Sequence, residues 1–259
     1  MYLERSNILY ASVPKCACSA LKAFCVKVEY GKPFKETELA KDGKTLHGVV
    51  DSVPFRKLKN QGQKDAWKFA VVRHPVDRVV SCYESKVLDK PEKLQQRRAQ
   101  LEKKGLSLTP DLAEFVDRLE DYQSASNVIR KHSLPLDYFL GDNPEYFDRI
   151  YNFSEIAEVP VAINERAGTE VELLKSKNAY VKRLPSGAVT EELCRKILEK
   201  YRSDIEIFGP YLGPSKFAVA NECTVITKRR PSWLRKSLNA VNRTLTSARS
   251  VTLTTARRR

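Results

Sequence analysis

Two short stretches of this chain concentrate the residue types that hold anions. In the first, residues 7–22 (NILYASVPKCACSALK), Pro14 and Lys15 are followed by five small residues, Cys16, Ala17, Cys18, Ser19 and Ala20. The apolar run Ile8–Ala11 before them and a helical pattern after them predict strand, tight loop and helix N-terminus. That arrangement binds anions, because the first N–H groups of a helix lack partners and the helix dipole favours negative charge there. Small side chains let a phosphate approach the backbone closely, and Lys15 sits at the mouth as a mobile cation. A buried first strand followed by a plain surface turn is the alternative. In the second stretch, the apolar run Trp67–Val72 leads into Arg73-His74-Pro75-Val76-Asp77-Arg78, with Ser81 two helical turns on. Arginine clamps a phosphate with two parallel hydrogen bonds, and a hydroxyl adds a neutral donor. A simple salt bridge at the strand end is the alternative for Arg73.

Two separate anion sites on one sheet edge suit a ligand with two phosphate groups. The loop of an ATP-binding kinase would read G-x-x-x-x-G-K-[ST]. Here the loop has no glycine, and its lysine precedes the small residues instead of following them.

The elements that must position these residues follow from the pattern along the chain. Ile8–Ala11 reads as a strand and residues 20–28 as a helix with Leu21, Phe24, Cys25 and Val28 on one face, ended by Gly31-Lys32-Pro33. Residues 35–45 are polar and read as loop. Residues 46–50 are a short strand or turn, and residues 54–62 a short basic helix. Trp67–Val72 is the central strand, and Pro75 opens the next helix, with Val76, Val79, Val80 and Tyr83 turned inward. Residues 86–104 are highly charged with no clear apolar stripe, and read as a solvated helix or lid. Thr109 is expected to cap a helix opened by Pro110 and Asp111. Residues 148–153 form another strand, Ser154 and Glu155 start a short helix, and Thr190 caps a helix through Leu193, Ile197, Leu198, Tyr201 and Ile205. Pro210 and Pro214 close the globular part. Strands alternating with helices imply an α/β fold, a central mostly parallel sheet flanked by helices, with ligands at the carboxyl ends of its strands.

At 259 residues the chain suffices for one large α/β domain or two small ones. Its net charge of +14 is unevenly placed. Residues 223–259 hold ten Lys and Arg and no acid, which leaves +4 for residues 1–222. The organisation expected is therefore a domain over 1–222 and a basic tail over 223–259, and nucleic acid is not an expected partner of the fold. Six cysteines (Cys16, Cys18, Cys25, Cys82, Cys194, Cys223) show neither a disulfide framework nor paired zinc spacing. Reduced thiols, the absence of a signal-peptide pattern and the absence of a run of roughly 20 apolar residues point to a cytoplasmic protein without a metal. In the tail, Trp233, Leu234, Leu238, Val241 and Leu245 form an amphipathic stripe flanked by Arg and Lys. Peripheral contact of residues 228–259 with an anionic membrane and a disordered basic tail are the two readings.

VPKCACSALK resembles the 5′-phosphosulfate loop of sulfotransferases, and VVRHPVDRVVSCY their 3′-phosphate-binding strand and helix. The forms K-x-A-C-S-x-x-K and RHP-x-x-R-x-x-S-x-Y are most similar to the carbohydrate sulfotransferases. HSLPLDYFL, DRIYNFSEI, KSKNA and YRSDIEIFG follow in family order, so the resemblance covers roughly residues 7–212. It departs at Leu21, where many carbohydrate members have an aromatic residue. The resemblance implies a P-loop NTPase-like sulfotransferase fold and transfer of a sulfuryl group from 3′-phosphoadenosine-5′-phosphosulfate (PAPS) to a carbohydrate or glycolipid hydroxyl, with no metal. Lys15 would stabilise the bridging oxygen of the leaving phosphate. Pro14 and the backbone of residues 16–20, with the Ser19 hydroxyl, would hold the 5′-phosphate and sulfate. Arg73 and Ser81 would hold the 3′-phosphate, and Lys177 and Asn178 would close over the adenosine, with a plain surface loop as the alternative for these two.

An acceptor hydroxyl needs a general base, for which histidine is suited near neutral pH. His47, between the two motifs, is the expected base. His74 lies inside the phosphate motif and reads as structural, His132 as a lining of the acceptor pocket, and Glu29 as a weaker substitute. The alternative function is a non-catalytic nucleotide-binding module that uses its basic tail for membrane or nucleic-acid contact.

Overall fold

A computed structural model describes residues 1–62, 64–173 and 184–217. Every described element belongs to one compact unit, Met1–Val219. Lys177, Asn178 and the tail reading for residues 228–259 lie outside the described residues.

A four-stranded sheet holds the strands in sequence order: β1 (Tyr2–Leu3), β2 (Ile8–Ala11), β3 (Trp67–Val72) and β4 (Arg149–Asn152). β1 runs antiparallel to β2, while β2, β3 and β4 are mutually parallel. The fold is thus α/β with a mostly parallel sheet flanked by helices. Parallel neighbours need crossover connections, and these are helical here. Their register brings the carboxyl ends to one edge: Ala11 faces Ala70, and Val72 faces Asn152. The residues just beyond each strand are therefore neighbours in space.

The helices in chain order are α1 (Cys18–Tyr30), α2 (Leu46–Val49), α3 (Phe55–Leu58), α4 (Pro75–Tyr83), α5 (Glu92–Gln95), α6 (Arg98–Glu102), α7 (Leu112–Asp117), α8 (Leu119–Ala125), α9 (Asn127–Ser133) and α10 (Leu136–Leu140). After β4 come α11 (Glu158–Ala167), α12 (Glu191–Lys200) and α13 (Arg202–Phe208). One core packs around the sheet, where Tyr10 of β2 stacks on Phe69 of β3 with centroids 4.8 Å apart. A second core joins α4, α7, α8, α9 and α12 beside it. Burying a large apolar side chain contributes roughly 1.5–3 kcal/mol, so these two clusters supply most of the drive to fold. Arg78 of α4 and Asp204 of α13, both fully buried, form an ion pair at 3.2 Å between helices far apart in sequence.

Several boundaries differ from the sequence expectation. Helix α1 starts at Cys18 and reaches Tyr30, where Gly31 ends it in the left-handed region. Residues 46–49, expected as strand or turn, form a helical turn because the Thr45 hydroxyl accepts from Gly48 N–H at 3.1 Å. The charged segment 86–104 is not one solvated helix. A π-helical turn (Glu84–Leu88) is followed by α5 and α6, whose Leu94 and Leu101 are buried in the second core. One apolar anchor per short helix leaves no stripe to read. Asp111, not Thr109, caps α7, its carboxylate accepting from Glu114 N–H at 2.8 Å. The helix expected through Ile205 breaks at Tyr201 into α12 and α13. Among the described residues, no helix is long and apolar enough to cross a membrane.

Candidate active site

The strand-β2 loop is built under backbone strain. Lys15 (φ 69°) and Ala17 (φ 57°) both occupy the left-handed region, which disfavours side chains other than glycine. Left-handed residues of this kind are the building blocks of an anion-binding nest, although the Cys16 N–H between them donates to the Val13 carbonyl at 3.3 Å. Ala17 is also the N-cap of α1 and offers no side-chain cap, and no acid lies in the first turn. The dipole end of a 13-residue helix therefore lies beside the nest. Cys16 turns its side chain into the sheet core, where burial pushes its thiol up to about 11; the residue is fully buried and does not line the cavity.

Pro14, Lys15, Ala17, Cys18, Ser19 and Ala20 line a cavity of about 860 Å³ together with His47, Arg73 and Ser81. Two motifs more than fifty residues apart thus open into one space. The sheet register explains the meeting, since the loop leaves β2 and Arg73 leaves β3 at the same edge. Arg73 donates to the Lys15 carbonyl at 3.4 Å, and its Nε is buried and makes no hydrogen bond, with the Asp77 carboxylate 3.9 Å away. Asp77 in turn accepts from the Ser215 hydroxyl at 3.1 Å, which ties the end of the globular unit to the base of α4. Lys15 Nζ donates to Ser85 Oγ at 2.7 Å, placing the ammonium across the cavity mouth against the π-helical turn.

The three histidines separate cleanly. His47, on α2, lines the cavity, and its Nε2 lies 2.9 Å from Ser19 Oγ. Lost solvation on the cavity side, then Lys22, Lys131 and Lys86, lower its pKa below 6.5, against an opposing pull from Asp51. The shift favours the neutral imidazole. His74 is the N-cap of α4, buried, and absent from the cavity wall, in keeping with a structural role. His132 lines the cavity, and its Nδ1 lies 2.7 Å from the Val128 carbonyl. That carbonyl can only accept, so Nδ1 donates and Nε2 keeps a lone pair. Burial, with Lys86 adding, lowers its pKa to about 3. Glu29 is no substitute base, because its carboxylate accepts from Glu4 and Arg5 N–H at 3.1 and 3.2 Å and ties α1 to the first turn.

Sequence reasoning missed several wall residues. Phe153, just beyond β4, places its ring 4.5 Å from the Arg73 guanidinium carbon, because Val72 and Asn152 are register partners. Ser85 and Lys86 come from the π-helical turn, and Lys86 opens the segment read as a solvated helix or lid. Asp51 pairs with Lys131 of α9, and both line the cavity. Burial alone would raise Asp51, but the bonds from Lys131 and from the Ser52 N–H hold its carboxyl below the usual range. Only Phe153 had a sequence signal, as an aromatic residue directly after a strand that neighbours the arginine strand.

Chemically, the wall combines a nest, a helix N-terminus, a lysine and an arginine for anions with a neutral imidazole for a proton. Among the described residues, no cluster of His, Cys, Asp and Glu could hold a metal ion. No curated protein and no solved structure matches the chain significantly. The model of the Sulfotransferase family matches residues 1–211, a span that includes every element of the sheet and both anion motifs. The chain belongs to the sulfotransferase family.

Proposed function

We propose that this protein transfers a sulfuryl group from PAPS to a hydroxyl of a carbohydrate or glycoconjugate. The observation that carries this reading is the convergence of Lys15 and its strained loop with Arg73 and Ser81 on one cavity. PAPS supplies an activated sulfuryl group together with the 3′-phosphate that separates it from ADP-like nucleotides. The buried Nε of Arg73, which makes no hydrogen bond, and the nest at Lys15 and Ala17 fit its two anionic ends. Pro14 and the backbone of residues 16–20, with the Ser19 hydroxyl, hold the 5′ end, while Arg73 and Ser81 hold the 3′-phosphate. Lys177 and Asn178 are assigned to the adenosine side. Lys15 neutralises charge on the leaving oxygen, and positioning plus electrostatics dominate catalysis of such a transfer. His47 accepts the proton of the acceptor hydroxyl, a role its depressed pKa permits at neutral pH.

Adenosine 3′,5′-bisphosphate (PAP) should raise the melting temperature of the protein, and ADP should not. Arg73→Ala should abolish most of that rise, since a charge-assisted hydrogen bond contributes about 1.5–3 kcal/mol. Equal stabilisation by ADP, or a full PAP effect in Arg73→Ala, would rule the two-site reading out. Radiolabelled sulfate transferred from PAPS to a panel of glycans would then identify the acceptor class.

A further inference from the structure

Lys22 is the second lysine of the first motif, and the proposed chemistry leaves it unused. Its residue is only 1 % exposed. Lysine is almost never buried to this extent, because desolvating an ammonium costs free energy unless hydrogen bonds meet it. Lys22 Nζ donates to Ser52 Oγ at 3.1 Å, and Ser52 Oγ lies 2.7 Å from Ser12 Oγ. Ser12 is the first residue after β2, Lys22 belongs to α1, and Ser52 lies three residues beyond α2. Three segments that build the site therefore meet at one buried ammonium. From Ser52 the contacts run outward to the cavity. Its N–H donates to Asp51 Oδ1 at 2.8 Å, and Asp51 pairs with Lys131, the neighbour of His132. His47 sits on the same short segment and reaches Ser19 on α1.

We propose that Lys22 is a positioning residue: through Ser52 it clamps residues 46–52 against the strand-β2 loop, keeping His47 on Ser19 and Asp51 on Lys131. The inference rests on the reading of His47 as the base. Lys22 does not line the cavity and reaches it through Ser52, which does. Plain packing is a poor explanation, since an apolar side chain of the same length would fill the space without the desolvation cost. The charges support the geometry. Lys22 faces Cys18, Asp51 and Lys131, and burial lowers its pKa below 10.5. His47 faces Lys22, Lys131 and Lys86 on one sign and Asp51 on the other, with the neutral Ser19 hydroxyl between. Removing the Lys22 charge therefore makes protonation of His47 easier.

The test is Lys22→Met in the full chain. Turnover should fall about 10²-fold, the scale of a small misplacement of a catalytic group, while PAP affinity stays within about twofold, a change under 0.5 kcal/mol. The His47 imidazole, titrated by NMR in the unliganded protein, should shift to higher pH. A merely structural lysine would change the melting temperature and leave turnover of the folded protein at the wild-type level, an outcome that also overturns the proposal. An unmoved titration overturns the proposal, with or without a loss of turnover. Should Lys22→Met not fold, Ser52→Ala breaks the clamp while retaining the charge. It should lose turnover and displace the His47 ring resonances, and wild-type values of both would overturn the proposal. His47→Gln keeps the two readings apart, because full turnover in that variant would remove His47 as base without touching the titration result.

Discussion

Each of the two motifs places one cation in the cavity and one in the interior, and the pairs behave differently. Lys15 and Arg73 line the cavity, partly exposed, within reach of a ligand. Lys22 and Arg78, seven and five residues further on, are each 1 % exposed. Arg78 reaches Asp204 and the Leu134 carbonyl, at 3.2 and 2.7 Å, and so fastens α4 to the later helices. The difference teaches that a motif need not be a list of ligands. Its first half opens into the cavity, and its second half is packed into the interior.

The largest effect should come from breaking the interior half. Asp204→Ala leaves Arg78 buried without its carboxylate and also removes the acceptor of Leu136 N–H. Loss of one partner of a buried pair typically costs about 3–5 kcal/mol. Urea unfolding should show that loss, while any folded fraction still binds PAP with wild-type affinity. Wild-type stability in this variant would mean that α4 is held by apolar packing alone.

Lys15→Ala should do the reverse. Removing one charge-stabilising donor from a reaction centre costs about 10²–10³ in kcat, and the unfolding midpoint should remain where it was. Alanine keeps a Cβ, so the left-handed backbone at this position is strained alike in both proteins and the stability readout is a fair one. A large loss of stability would place Lys15 with the interior cations and dissolve the distinction.

His132 offers a smaller, pH-dependent test on the opposite wall. Its pKa is lowered to about 3 in the fold, from an ordinary 6.5. Below pH 6.5 the unfolded chain binds a proton that the folded chain refuses, so this group's contribution is present above that pH and is lost as pH falls toward 3. His132→Phe should flatten the acid side of the stability–pH curve. An unchanged slope would show that another group, such as His47 or His74, dominates it.

How much of the molecule is legible in its sequence depends on the range of the interaction. The strands at Ile8–Ala11 and Trp67–Val72 and the opening of α4 at Pro75 follow from local pattern, and their ends agree with the structure. Lys15, Ser19, Arg73, Ser81 and His47 are nameable because their types and spacing already suggest chemistry, and all five line the cavity. Ser85, Asp51 and Lys131 are not, and Phe153 is marked only as an aromatic residue directly after a strand. Each reaches the wall by a route the local sequence does not encode: a π-helical turn, an ion pair between α9 and the segment after α2, and a sheet register. The burial of Lys22 and Arg78 is hidden for the same reason, since their partners lie 30 and 126 residues away.

The smallest effect concerns the loop itself. Ala17 holds φ 57° with a Cβ, a conformation that costs about 1–2 kcal/mol relative to an allowed one. Ala17→Gly relieves that strain but frees the unfolded chain, which offsets about 0.4–1 kcal/mol. The net expectation is a stabilisation on the order of 0.5–1 kcal/mol by thermal unfolding. PAP binding should weaken slightly, because glycine no longer holds the nest in one shape before the anion arrives. Loss of stability would show that the left-handed geometry is imposed by the surrounding packing at no local cost. In that case the cavity half of the motif would be as firmly held as the interior half, and the contrast between them would lie in exposure alone.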